Sequence, residues 1–200
     1  MKIIGLTGPS GAGKGFCYQY FDSLSIPCID ADRVYHELLC PPSRCVDELI
    51  AFFGNDILDN KGGIDRKTLA NKVFADKSRE KLNTLNFITH KYVTEKIVFM
   101  LNDFSKQGLA AVVIDAPLLF EAGVDKMCDF TVAVISDEAT RLERIVKRDN
   151  ISSEEATLRI KAQKPIDFYT ENADYTVTNN ADIHALNNQI EAILKKEKIL

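Results

Sequence analysis

No stretch of this 200-residue sequence approaches the ~18 consecutive apolar residues that a membrane span requires. An excess of basic charge is missing too. Twenty-five Lys and Arg stand against 29 Asp and Glu, a formal net charge of −4, which argues against non-specific nucleic-acid or anionic-membrane binding. The five cysteines (Cys17, Cys28, Cys40, Cys45, Cys128) are odd in number and contain no Cys-x-x-Cys pair. A disulfide framework or a zinc site is therefore not expected; buried or incidental reduced thiols in a cytoplasmic protein fit better, with a Cys40–Cys45 pair as the alternative. A signal-peptide pattern is lacking: after Lys2 the apolar run 3–6 is broken by Thr7-Gly8-Pro9, so a short buried strand is expected there. There is no internal repeat and no low-complexity tract.

What remains is the balance of a globular chain, 46% hydrophobic and 27% charged, with the length of a single domain at about 150 residues per domain. Short apolar runs at 2–7, 26–30, 110–115, 130–135 and 175–178 alternate with helix-length amphipathic segments at 14–24, 31–39, 137–148, 153–161 and 183–197. That alternation predicts βαβ units and a five-stranded parallel sheet covered on both faces. Ser152 and Ser153 followed by Glu154 and Glu155 form a helix N-terminus signal. Between the second and third strands lie about 80 residues, against the ~10–15 of an ordinary crossover. Residues 34–107 therefore read as a helical insertion, with helices at 45–53, 66–74 and 78–106 and a turn at 60–63.

The first strand runs into Gly8-Pro9-Ser10-Gly11-Ala12-Gly13-Lys14-Gly15, the P-loop pattern up to its last position. Glycines let the backbone curl until successive N–H groups face phosphate oxygens, the following helix adds its positive N-terminus, and Lys14 reaches the outer phosphates. Gly15 and Phe16 stand where a Ser or Thr hydroxyl usually ligates Mg²⁺, so the ion would lean on water, phosphate and carboxylates. Three carboxylates fall at strand ends, where open parallel sheets bind ligands. Asp115 occupies the place of an acid that supports Mg²⁺ through its waters. Asp32 can accept a proton from an attacking hydroxyl, with a helix N-cap as the alternative, and Asp30 reads equally as helix cap or base. Residues 141–164 carry a local net charge of +3, leaving −7 for the rest. Arg141, Arg144 and Arg148 share a helix face there, and Arg144 suits the charge of a transferring phosphoryl group, against the alternative of a solvated face.

In this order the pieces resemble the dephospho-CoA kinase family over nearly the whole chain. The matching stretches are 5–14, Ile29-Asp-Ala-Asp32, Gly63-Ile-Asp-Arg66 with Leu69 and Val73-Phe74, and Leu85-Asn-Phe-Ile-Thr-His90. They continue with Pro117-Leu-Leu-Phe-Glu121, Arg144 with Arg148-Asp149, Arg159 with Gln163, and 173–180 ending in Asn179-Asn180. The resemblance implies a P-loop NTPase three-layer α/β fold comprising a nucleotide-binding core, a CoA-binding helical insertion and a lid at about 138–172. It implies transfer of the ATP γ-phosphate to the ribose 3′-hydroxyl of dephospho-CoA, the final step of coenzyme A synthesis, with Mg²⁺. By position Lys14 would hold phosphates, Asp32 act as base, Arg144 and Arg148 face ATP from the lid, and Asn180 lie near adenine. Arg66, His90, Leu118, Arg159 and Gln163 would face the acceptor, although Arg66 also reads as a helix start and His90 as a structural histidine. The chain departs from the family pattern at Gly15-Phe16, at Lys91 and at Ala181-Asp182. Two rival readings are a nucleoside monophosphate kinase and a nucleotide- or CoA-binding regulator without turnover. The sequence assigns no oligomeric state.

Overall fold

The computed structural model describes residues 1–200, which form two compact units: Met1–Ile29 with Phe104–Leu200, and Asp30–Asp103. The first unit is built on strands β1 (Lys2–Thr7), β2 (Cys28–Asp30, its last residue opening the second unit), β3 (Ala111–Asp115), β4 (Phe130–Ile135) and β5 (Tyr175–Thr178). Their order is β2-β3-β1-β4-β5. Strand β1 pairs in parallel with β3 (Leu6 opposite Asp115) and with β4 (Leu6 opposite Val132), and β4 pairs in parallel with β5. The chain moves to one side of β1 for β2 and β3 and to the other for β4 and β5. The carboxyl end of β1 therefore lies where strand order reverses, the place at which such sheets open a ligand crevice.

The apolar strands β1, β3 and β4 are almost wholly buried, as a sheet covered by crossover helices requires. Ile4, Leu6, Val113, Val132 and Val134 pack with Phe21 of α1 (Lys14–Ser23) and with Leu186, Ile190 and Leu194 of α9 (Ile183–Lys196). Beyond β4 come α6 (Glu138–Asp149), α7 (Ser153–Lys161) and α8 (Ile166–Asn172). Ile145 of α6 packs with Ala156 and Ile160 of α7 in a small core of their own.

The second unit carries α2 (Ala31–Leu38), α3 (Arg44–Phe53), α4 (Arg66–Phe74) and most of α5 (Glu80–Lys106). Leu49, Ile57, Leu69, Val73, Ile88 and Tyr92 are at its core. The turn at 60–63 is closed by an isolated antiparallel bridge between Leu58 and Ile64, and Asp59 Oδ1 accepts the Lys61 and Gly63 N–H groups at 2.8 and 2.9 Å.

Several element boundaries differ from the sequence expectation, each for a local reason. Strand β2 starts at Cys28 rather than at residue 26, because Ser25 turns at φ 57° and the Ile26 N–H closes back on the Phe21 carbonyl at 3.0 Å. Helix α5 starts at Glu80 rather than at 78: Arg79 takes φ 63°, and Asp76 collects the Ser78 and Lys81 N–H groups at 3.1 and 2.9 Å. Helix α8 was not expected at all, since seven residues after Pro165 span too few turns to show a period. The Ser152 signal is a full capping box: Ser152 Oγ accepts the Glu155 N–H, and the Glu155 carboxylate accepts the Ser152 N–H.

Replacing Ser152→Ala should cost about 1 kcal/mol of stability, a drop in Tm of roughly 2–4 °C for a chain of this size. Calorimetry on the two proteins checks this, and an unchanged Tm would show that α7 does not depend on its cap.

Candidate active site

Residues 8–13 leave β1 at Thr7 and enter α1 at Lys14. Gly8 adopts φ 143° and Gly13 φ 97°, both in the region that side chains avoid. Space makes the same demand. A Cβ on Gly8 would sit 2.2 Å from the Val134 carbonyl oxygen, and one on Gly13 would sit 2.1 Å from Asn179 Nδ2. Gly13 is also the N-cap of α1; it offers no capping side chain, and no acid occupies the first turn. The Lys14 and Gly15 N–H groups that open α1 have no intrahelical partner by geometry and stand ready for an anion, while the Phe16 N–H donates to the Gly13 carbonyl at 3.0 Å. Lys14 Nζ donates to the Gly8 carbonyl at 3.2 Å, folding its ammonium back along the loop.

Helix α6 meets this loop with three arginines, and each takes a different hold. Arg141 Nε donates to the Ser10 carbonyl at 3.0 Å and its Nη2 to Gln163 Oε1 at 2.9 Å. Arg144 Nη1 donates to the Gly11 and Ala12 carbonyls, both at 3.3 Å, and its Nη2 to the Asn179 carbonyl at 3.0 Å. Arg148 Nη2 reaches Ser10 Oγ at 3.2 Å, while its fork clasps both oxygens of Asp149 at 2.7 and 2.8 Å. The shared face read from the sequence is real; Arg141 and Arg144 grip loop backbone, and Arg148 meets a loop hydroxyl.

The Asn179-Asn180 pair divides its work. Asn179 is buried and its Nδ2 donates to the Ala12 carbonyl at 2.8 Å. Asn180, the member singled out from the sequence, accepts the Ser136 hydroxyl at 2.7 Å and the Asp137 N–H at 2.9 Å, tying β5 to the start of α6. Sequence reasoning gave Asn179 and Ser136 no role of their own, and it placed Arg141 on the arginine face without assigning it a partner. The doubled Asn was the available signal for Asn179.

Gln163 and Arg159, expected to face the acceptor, are engaged within the first unit. Gln163 Oε1 accepts the Ser10 N–H at 3.1 Å as well as Arg141, and Arg159 pairs with Asp149. Leu118 is 57% exposed, just after Pro117, whose carbonyl lies 3.3 Å from Thr7 Oγ1 as its acceptor. Pro9 and Ser10 carry the loop forward, Ala12 is fully buried, and Phe16 is exposed.

Asp115 ends β3 half-buried. Burial first, and then the Asp115 charge, push the Cys17 thiol of α1 up to about 12, with Lys14 pulling slightly the other way. Asp115 and Lys14 thus share one electrostatic neighbourhood at the head of α1. All five cysteines are free thiols, and burial likewise raises Cys28 and Cys128 to about 12 and Cys45 to about 11. No group of three or more His, Cys, Asp or Glu side chains gathers as a metal cage. A Cβ on Gly15 would meet nothing within 4 Å. A single carboxylate at the end of β3, in the electrostatic neighbourhood of the head of α1, fits Mg²⁺, which keeps several waters and binds through few protein ligands.

In the second unit, Asp30 settles as the cap of α2, its Oδ1 accepting the Arg33 N–H at 3.0 Å, and Asp32 occupies the first turn of that helix. Arg66 opens α4 behind the cap Asp65 and also lines a cavity of about 690 Å³ walled by Leu69, Val73, Leu82 and Leu85. His90, on α5, does not line that cavity; it is half-buried, and burial lowers its pKa from the ordinary value.

A phosphate loop at the reversal point of a five-stranded parallel sheet, gripped by an arginine helix, defines a P-loop kinase. The fold is shared by a shikimate kinase from Acinetobacter baumannii (15% identical, TM-score 0.53, 100% of this chain and 96% of that one). It is shared more closely by a dephospho-CoA kinase from Campylobacter jejuni (24%, TM-score 0.70, 98% and 96%) and by TT1252 from Thermus thermophilus (27%, TM-score 0.80, 98% and 97%). The family model for dephospho-CoA kinase (CoaE) matches residues 2–185. Relatives named dephospho-CoA kinase include one from Bacillus anthracis, 38% identical over 99% of this chain and 98% of its own length, and one from Carboxydothermus hydrogenoformans, 36% identical over 99% and 95%. This chain belongs to the dephospho-CoA kinase family.

Two outcomes follow from this geometry. Gly13→Ala places a methyl group against Asn179 and strains the backbone, so ADP affinity should fall by more than about tenfold; titration calorimetry that finds native affinity would contradict the fit described. Arg148 first, and Arg159 after it, hold the Asp149 carboxyl below the ordinary carboxylate range. The stabilisation is full above the unfolded-state pKa and is lost as pH falls through the lowered folded value. Wild type should therefore exceed Asp149→Asn in Tm at neutral pH, with the gap closing below about pH 4. A gap that stays constant across that range would show that the carboxylate contributes nothing through its charge.

Proposed function

We propose that this kinase transfers the γ-phosphate of ATP to the ribose 3′-hydroxyl of dephospho-CoA, giving coenzyme A and ADP, the final step of coenzyme A synthesis. The observation that carries the reading is the phosphate loop with its carbonyls bonded to α6 and Asn179, in a chain of this family. Carbonyls drawn outward leave the Gly11 and Gly13 N–H groups for phosphate, while those of Ser10 and Ala12 are taken by Gln163 and the Pro9 carbonyl, and Lys14 swings from the Gly8 carbonyl to the outer phosphates. Asp32, two residues beyond β2, takes the proton of the attacking 3′-hydroxyl. Arg144 holds its loop carbonyls by long bonds of 3.3 Å and can redirect a donor to the transferring phosphoryl group as negative charge spreads over it. Bound Mg²⁺ would supply charge neutralisation at the phosphates, with Asp115 holding it through water and the Gly15 slot leaving room for those waters.

The cavity in the second unit, whose mainly apolar lining also includes Arg66 and Lys67 with Asp59 and Asp65, suits an acceptor that carries both an extended flexible arm and phosphates. The wider helical segment 34–107 would serve that acceptor and segment 138–172 would act as a lid, whose closure excludes water from the transfer. No helix is long and apolar enough to cross a membrane, and the acidic charge balance suits small anionic substrates held at local cationic sites rather than nucleic acid. A cytoplasmic setting fits the reduced thiols.

The test is ADP release with dephospho-CoA, AMP or no acceptor, each with and without Mg²⁺. Release only with dephospho-CoA and Mg²⁺ is the expected result. Preference for AMP would favour a nucleoside monophosphate kinase, and ATP binding without release a regulator. Asp32→Asn should lower kcat by about a hundredfold or more while ATP affinity stays within about twofold. Retained turnover in that variant would remove Asp32 from the base role.

A further inference from the structure

Ser10 is held at all three of its polar groups from one side. Its N–H donates to Gln163 Oε1 at 3.1 Å, its carbonyl accepts Arg141 Nε at 3.0 Å, and its hydroxyl meets Arg148 Nη2 at 3.2 Å. The same Gln163 oxygen accepts Arg141 Nη2 at 2.9 Å, which closes a ring through Ser10, Arg141 and Gln163. Arg141 is only 3% exposed. Helix α6 runs so near the loop here that a Cβ on Gly11 would lie 2.7 Å from the Arg141 carbonyl oxygen.

A guanidinium is costly to bury where an apolar side chain could fill the same space. Its directional donors give it a use that Leu or Met would lack. A peptide group is planar and trans, so the carbonyl of one residue and the N–H of the next point in opposite directions. Pinning the Ser10 carbonyl toward α6 therefore turns the Gly11 N–H away from α6, toward the concave side of the loop. Asn179 on the Ala12 carbonyl does the same for the plane that carries the Gly13 N–H; in the plane between them Arg144 holds the Gly11 carbonyl while the Ala12 N–H donates to the Pro9 carbonyl at 3.2 Å.

We propose that Arg141 is a positioning residue for phosphoryl transfer: with Gln163 it locks the Ser10–Gly11 peptide plane so that the Gly11 N–H faces the nucleotide phosphates. Arg141 itself touches no phosphate. Gly11 takes φ 80°, a glycine conformation with wide freedom, so without the lock its N–H would sample directions that bind nothing. The inference rests on the loop's being a nucleotide-phosphate site, and it is independent of the acceptor.

The test compares ADP with AMP by titration calorimetry, which needs no acceptor, so its failure is distinguishable from failure of the dephospho-CoA assignment. The two ligands differ in the outer phosphate that the loop amides would hold. Arg141→Leu should weaken ADP binding by about tenfold and AMP binding by less than about twofold. Glutamine carries its Nε2 the same number of bonds from Cα as arginine carries Nε, so Arg141→Gln can donate to the Ser10 carbonyl. It should restore ADP affinity to within about threefold of native. A merely structural arginine would lower both ligands together, or would leave Gln no better than Leu, and either result overturns the proposal. Should the Leu variant fail to fold, Arg141→Met takes its place. In the native chain, moreover, ADP must shift the Gly11 amide resonance in a ¹⁵N-correlated spectrum; an unmoved amide overturns the proposal without any variant.

Discussion

The phosphate end of this protein depends on the direction of three consecutive peptide carbonyls. Ser10, Gly11 and Ala12 each turn theirs toward side chains of α6 or toward Asn179, at 2.8–3.3 Å. Because a trans peptide is rigid, aiming a carbonyl also aims an N–H. A loop of glycines could adopt many shapes and would lose much conformational entropy on settling into one. The bonds from Arg141, Arg144 and Asn179 hold it to a single shape before any ligand arrives. Pre-organised donors of this kind need no rearrangement when charge develops, which is what makes such a site effective in phosphoryl transfer.

The same bonds explain how a chain of net charge −4 can hold a polyanion. The positive charge is gathered in segment 141–164, and there it is oriented by partners rather than spread over a surface. Asp149 holds Arg148 and pairs with Arg159, joining the end of α6 to α7, and the capping box at Ser152 fixes where α7 begins. Gln163 then returns from the end of α7 to the loop. A change in the position of α7 is thereby mechanically linked to Ser10.

Much of the framework was legible in the residues. The strands showed as short apolar runs, most plainly β1, β3 and β4, which are covered on both faces, and the P-loop showed because its glycines answer to close approaches at Val134 and Asn179. Where reading failed, the cause lay in contacts remote along the chain. Helix α8 is too short to show a period. Asn180 and Asn179 are adjacent and identical in type, so nothing local says which one faces the loop 167 residues away. Gln163 and Arg159 carried the family's pattern, yet in this structure their partners are Ser10, Arg141 and Asp149.

By itself the sequence determined the parallel α/β core, the phosphate loop and its lysine, the carboxylates at the strand ends and the helical character of residues 34–107, since periodicity, glycine spacing and capping are local properties of a chain. Only the tertiary structure decided which polar side chain serves which backbone group. Asp30 became a cap, Asn179 a brace for the loop, and Arg141 a buried fork against Ser10. Those choices depend on distances across the sheet, set when β1, β4 and β5 align and bring α6 against the loop.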